Sequence, residues 1–136
     1  MVRHLDVSVW DIIVFFFTLK YHMEEFHPPT TVPRPSILAV VVDWCPHCVQ
    51  SKPLLDELAH TLGQSVPVFS IDGDKYGEWI MNECGEAIKH LTYPTILFAR
   101  GDGSYVKFEG DRTCENLLAF ACEHSQSYGP INACLA

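Results

Sequence analysis

The chain has 136 residues, 48% of them hydrophobic, and a formal net charge of −8 from 9 basic and 17 acidic side chains. That length fits one domain with a sizeable core. The acidic balance speaks against nucleic acid or anionic lipid as a partner, since both need clustered Lys and Arg, and an aromatic content of 12% excludes a disordered chain.

In chain order, the first feature is the apolar run at residues 7–19. It falls short of the roughly 20 residues that span a bilayer, and Ser8 with Asp11 suits the first turn of a helix. The run predicts a packed N-terminal helix, with a membrane or signal segment, or a strand, as the alternatives. No small-x-small cleavage site follows it, so no cleavable signal peptide is expected and the chain reads as soluble. The segment 27–35 holds four prolines and predicts a linker. Ile37–Val42 is a β-branched run, apolar on both faces, and predicts a buried central strand. Cys48–Leu62 predicts a helix with Leu54, Leu55, Leu58, Ala59 and Leu62 on one stripe and Gly63 as its stop.

Val66–Ile71 predicts a strand and Asp74–Leu91 a helix, with Gly85 a potential break. Thr95–Ala99 and Tyr105–Glu109 form a hairpin around Arg100-Gly-Asp-Gly-Ser104. Thr113 caps a last helix running to about His124. From Ser125 the chain is polar and is expected to be loosely held. Strands separated by helices imply βαβ crossovers, and the late hairpin adds an antiparallel edge. The fold class is therefore α/β, a mixed sheet with helices on both faces. The domain division is 1–35 for the apolar helix and linker, 36–124 for the main domain and 125–136 for the tail.

Of the six cysteines, Cys45 and Cys48 stand three apart where the central strand gives way to a helix. A thiol there faces unpaired N–H groups and the positive end of the helix macrodipole, which favour thiolate. Pro46 suits the first helical position, and His47 can add positive charge. Cys45 thus reads as the attacking thiol and Cys48 as the resolving one. Zinc would need a second ligand pair, and none follows; haem attachment would need His directly after Cys48, where Val49 stands. Asp72 to Glu83 half-fits a calcium loop but reads as a turn capped by Asp, because Tyr76 takes a ligand position. Arg100-Gly-Asp102 reads as ordinary hairpin chemistry rather than an adhesion motif. Cys114 and Cys122, about 12 Å apart by helical rise, are too far apart to bridge and read as buried small hydrophobes. Cys134 reads as a free thiol in the tail.

Trp44-Cys-Pro-His-Cys48, Pro53 five residues on, and Tyr93-Pro94-Thr95 ahead of a strand together resemble the thioredoxin superfamily. The resemblance runs from about Ser36 to His124. The Tyr-Pro-Thr triplet and Phe108-Glu-Gly-Asp-Arg-Thr113 look most like catalytic domains of protein disulfide isomerases, whereas the Pro-His pair is like the periplasmic disulfide oxidases. The resemblance implies a thioredoxin fold and a cis Pro94 facing the cysteines. It further implies Trp44 and Tyr93 as substrate-binding residues beside them. The family usually keeps a buried carboxylate six residues before the first cysteine; here that residue is Ala39, which leaves the deprotonation of Cys48 to another base or to a slower course. The expected function is thiol–disulfide oxidoreduction of protein substrates with no bound cofactor and no metal. The alternative is a non-catalytic interaction module using Cys45 and Cys48 as a redox sensor or staple.

Overall fold

The computed structural model describes residues 23–126 and 131–134. The helix expected at 7–19, and its membrane alternative, lie outside the described residues. Among the described residues no helix is long and apolar enough to cross a membrane.

Five strands form one sheet in the order β1-β3-β2-β4-β5: β1 (Glu24–Glu25), β2 (Ser36–Val41), β3 (Val68–Asp72), β4 (Thr95–Ala99) and β5 (Tyr105–Lys107). β1 and β2 both run parallel to β3, while β4 runs antiparallel to β2 and to β5. Helices α1 (Pro46–Leu62), α2 (Gly77–Ile88) and α3 (Cys114–Ser125) connect and cover them. This is the mixed α/β sheet expected. β1 was not expected: two glutamates carry no strand signal, and they pair with β3 only because the parallel edge is open.

Strand β2 is central and buried along nearly its whole length, as its run of branched side chains demands. Pleating sends alternate residues to opposite faces. Ile37 and Ala39 pack with Leu55, Leu58, Ala59 and Leu62 of α1 and with Leu117 and Ala121 of α3. Leu38 and Val40 pack on the other face with Ile80, Cys84 and Ile88 of α2. The α1 stripe is the expected one, and the helix ends at Gly63, whose φ of 62° is the left-handed geometry that glycine adopts without strain. Pro53 sits inside α1 without ending it. The Pro-rich segment is irregular yet anchored. Phe26 and Val32 are buried, and the Arg34 guanidinium donates to the Arg100 carbonyl at 2.7 Å and to the Tyr105 hydroxyl at 2.9 Å.

Four expectations are corrected. Helix α2 starts at Gly77 rather than Asp74, because Asp72 Oδ1 accepts the N–H groups of Asp74 and Lys75 and closes a turn first; it runs unbroken through Gly85 and ends at Ile88, three residues before Leu91. The tail is not loose where it is described: Ile131 is buried in the core, and Asn132–Cys134 form a 3-10 turn. Cys134 is not free and Cys122 is not a mere small hydrophobe, since they form a disulfide with Cα atoms 5.6 Å apart. Cys114 is only half-buried, and its thiol donates to Glu57 Oε2 at 2.9 Å.

Candidate active site

Between the end of β2 and the start of α1 the chain turns through Asp43, Trp44 and Cys45. Cys45 is the N-cap of α1, with extended backbone (φ −94°, ψ 118°), and Pro46 fills the first helical turn, where its missing N–H leaves no gap. The Cys45 carbonyl accepts the Cys48 N–H at 3.0 Å and the Val49 N–H at 3.2 Å.

The two sulfurs, both unbonded, are pulled in opposite directions. Cys45 is held below the ordinary thiol range, first by the Cys48 backbone N–H and then by the His47 N–H, the Cys48 thiol and the Arg112 charge, against the opposing effect of burial. Cys48 is pushed up, chiefly by burial and further by the neighbouring Cys45 sulfur; the Val42 N–H, 3.5 Å from its Sγ, acts the other way. One thiol is thus prepared as thiolate while its neighbour keeps its proton and donates it as a hydrogen bond. The His47 imidazole is exposed to solvent.

The loop before β4 closes the site. The Tyr93–Pro94 peptide is cis, and the Tyr93 carbonyl oxygen lies 3.7 Å from Cys45 Sγ, where it accepts the S–H whenever that thiol is protonated. Trp44 is 66% exposed, an unusual state for so large an apolar ring. It is fixed by an edge-to-face contact with Tyr93 (centroids 5.8 Å) and by Nε1–H donating to Asp74 Oδ2 at 2.8 Å. Tyr93 in turn lies on Gly73, where an added Cβ would collide with its ring carbon Cε1. The sequence-predicted site residues therefore meet at one end of β2 and β4: Trp44 and Cys45 from the turn after β2, Pro46, His47 and Cys48 from the first turn of α1, and Tyr93 and Pro94 from the loop before β4.

Three further residues were not anticipated. Gly73 and Asp74 belong to the turn after β3, where glycine and aspartate are expected in any turn and so carry no sign that they seat a ring. Arg112 lies within the Phe108–Thr113 run that carried the resemblance, but its charge on the sulfurs depends on tertiary proximity.

A family description named Thioredoxin matches residues 18–123, well over half of the chain. A protein disulfide-isomerase of Triticum aestivum is 31% identical over 122 residues, covering 88% of this chain and 20% of the relative. Protein disulfide isomerase-like 1-1 of Arabidopsis thaliana is 29% identical over 97 residues, covering 68% of this chain and 18% of the relative. The chain thus spans about a fifth of the length of these curated relatives. The solution structure of the first thioredoxin domain of mouse protein disulfide-isomerase A4 superposes with a TM-score of 0.58 at 22% identity, over 91% of this chain and 76% of that domain. With the sheet order, the paired thiols and the family match on the page, the chain belongs to the thioredoxin family.

Proposed function

We propose that this chain is a thiol–disulfide oxidoreductase acting on protein substrates, with Cys45 as nucleophile and Cys48 as resolving thiol. The observation that carries the reading is the opposed preparation of the two sulfurs: Cys45 lowered at the N-terminus of α1, Cys48 raised by burial beside it. A low-pKa thiolate attacks a disulfide readily, and a protonated neighbour waits until the mixed disulfide has formed. Pro46 and His47 tune the pair. Trp44, Tyr93 and Pro94 provide the surface on which an extended substrate segment lies. Likeness to protein disulfide isomerases supports protein cysteines as the substrate class. We place the unit that carries the two thiols at residues 36–124, with β1, Phe26 and Val32 before it and Ile131 after it completing the same sheet and core. The exchange runs on sulfur alone and calls for no cofactor.

The test is reduction of insulin disulfides, together with oxidation of a dithiol peptide. Both activities are expected in the parent protein and lost in Cys45→Ser. If the parent is inactive in both directions while Cys45 and Cys48 still form a stable disulfide, the chain is an interaction module in which the pair serves as a sensor or staple.

A further inference from the structure

The Cys48 thiol is 5% exposed, and it must lose a proton to act as the resolving thiol proposed above, on which this inference rests. The side chains packed with it at the end of β2, Val41 and Val42, cannot accept one. An opening lies beside them. A cleft of about 670 Å³ runs from Cys48 to the parallel edge of the sheet, passing Ser70, Lys52 and Glu25. That volume holds many waters, and Glu25, Asp43, Lys52, Ser70 and Asp72 offer them partners in a wall that is otherwise apolar.

Register explains why Glu25 stands at its far end. Ala39 pairs with Ser70, and Ser70 pairs with Glu25. Paired residues in neighbouring strands share a face, so the three form one row across the sheet on the side covered by α1. Strands lie about 4.8 Å apart, so Glu25 stands roughly 10 Å along this row from Ala39. The short β1 strand, which no sequence pattern announced, is what brings this carboxylate to the cleft.

We propose that Glu25 accepts the Cys48 proton through the water of this cleft when Cys48 resolves the mixed disulfide. In that step the Cys48 thiolate attacks Cys45 Sγ. A Cys45–Cys48 S–S bond forms, the bond from Cys45 to the substrate sulfur breaks, and the substrate leaves as a thiolate. The two chain thiols end oxidised and the substrate cysteine reduced. The Cys48 proton passes to Glu25 and from there to solvent or to the departing thiolate. The raised pKa of Cys48 makes such an acceptor useful below the pH at which it would ionise unaided. The charged and titratable groups facing this path are Cys45, Arg112 and Tyr93 around the sulfurs, and Asp43, Lys52 and Asp72 in the cleft wall.

The experiment uses the full chain in a Cys114→Ser background and an aromatic disulfide that releases a coloured thiolate, followed by stopped flow. The first release reports attack by Cys45 and the second reports resolution by Cys48. Glu25→Gln should leave the first phase unchanged. It should slow the second about 10-fold or more near pH 6, with the deficit shrinking as pH rises and hydroxide takes over. Glu25→Asp should recover part of the rate. Absence of the first phase in the parent would overturn the oxidoreductase reading itself. A normal first phase with an unchanged second phase and pH profile in Glu25→Gln would overturn only the role of Glu25. An effect found instead in Asp43→Asn or Asp72→Asn would also overturn it.

Discussion

The chain holds two cysteine pairs, and they behave in opposite ways. Cys45 and Cys48 sit one turn apart and are unbonded, while Cys122 and Cys134, twelve positions apart, are joined. The difference lies in what surrounds each sulfur. Cys45 caps the start of α1, where N–H groups have no intrahelical partner and turn to the sulfur instead. Cys122 lies within α3, where the surrounding N–H groups already serve the helix, so nothing comparable stabilises a thiolate there. Its disulfide pins the tail so that Ile131 stays in the core beside Leu117 and Ala121. On the proposed reading the first pair serves exchange, while the second anchors the tail.

The strongest way to break this contrast is to disrupt each pair in turn. Cys45→Ser should lower insulin-reducing activity by at least about 10³-fold, since the other thiol of the site, Cys48, is buried and keeps its proton. The double variant Cys122→Ser/Cys134→Ser should keep activity within about 2-fold. It should lose about 3 kcal/mol of stability, the entropic value of closing a loop of this length, seen as a lower urea midpoint. Strong loss of activity in the double variant would mean that the tail pair belongs to the redox machinery.

A pH series sharpens the contrast within the first pair. Cys45 is lowered, so its thiolate persists below the pH at which an ordinary thiol has already taken up its proton; Cys48 is raised, so it is still protonated where an ordinary thiol ionises. Iodoacetamide reacts with thiolate only. Mass spectrometry should therefore find Cys45 labelled first, at rates that hold up as pH falls toward the Cys45 pKa and drop only below it. Cys48 should stay unlabelled until the solution is distinctly alkaline. Equal labelling of the two across pH 5 to 9 would remove the asymmetry on which the proposed roles rest.

How much of this was legible beforehand follows from the range of the interactions. The β2 strand, the α1 stripe, the Gly63 stop and the Thr113 cap, whose side chain accepts the Asn116 N–H at 3.1 Å, are local patterns and were readable. So was the placement of Cys45 at a helix start. The β1 strand, the Cys122–Cys134 bridge and the seating of Tyr93 on Gly73 join residues distant in sequence, and a single chain gives no pattern for them. Helix rise correctly excluded a Cys114–Cys122 bond, but it could not reveal that the tail returns to α3.

The smallest effect concerns Trp44, whose ring is exposed yet fixed. Two contacts hold it: the edge-to-face packing on Tyr93 and the Nε1–H bond to Asp74 Oδ2. Trp44→Phe removes the second while keeping an aromatic ring near Tyr93. A single hydrogen bond to a carboxylate is worth about 1.5–3 kcal/mol in favourable settings, but this one lies at the surface, where solvent offers both groups a substitute. Stability should therefore fall by less than about 1 kcal/mol. A ring freed from Asp74 should instead sample several positions, so KM for a peptide disulfide should rise a few-fold while the alkylation profile of Cys45 stays unchanged. Asp74→Asn, whose amide oxygen can still accept from Nε1–H, should leave KM nearer the parent value. If both variants kept the parent KM, the fixed Trp44 ring would have no part in holding substrate, and the contrast between an exchange site and an anchor would rest on the sulfurs alone.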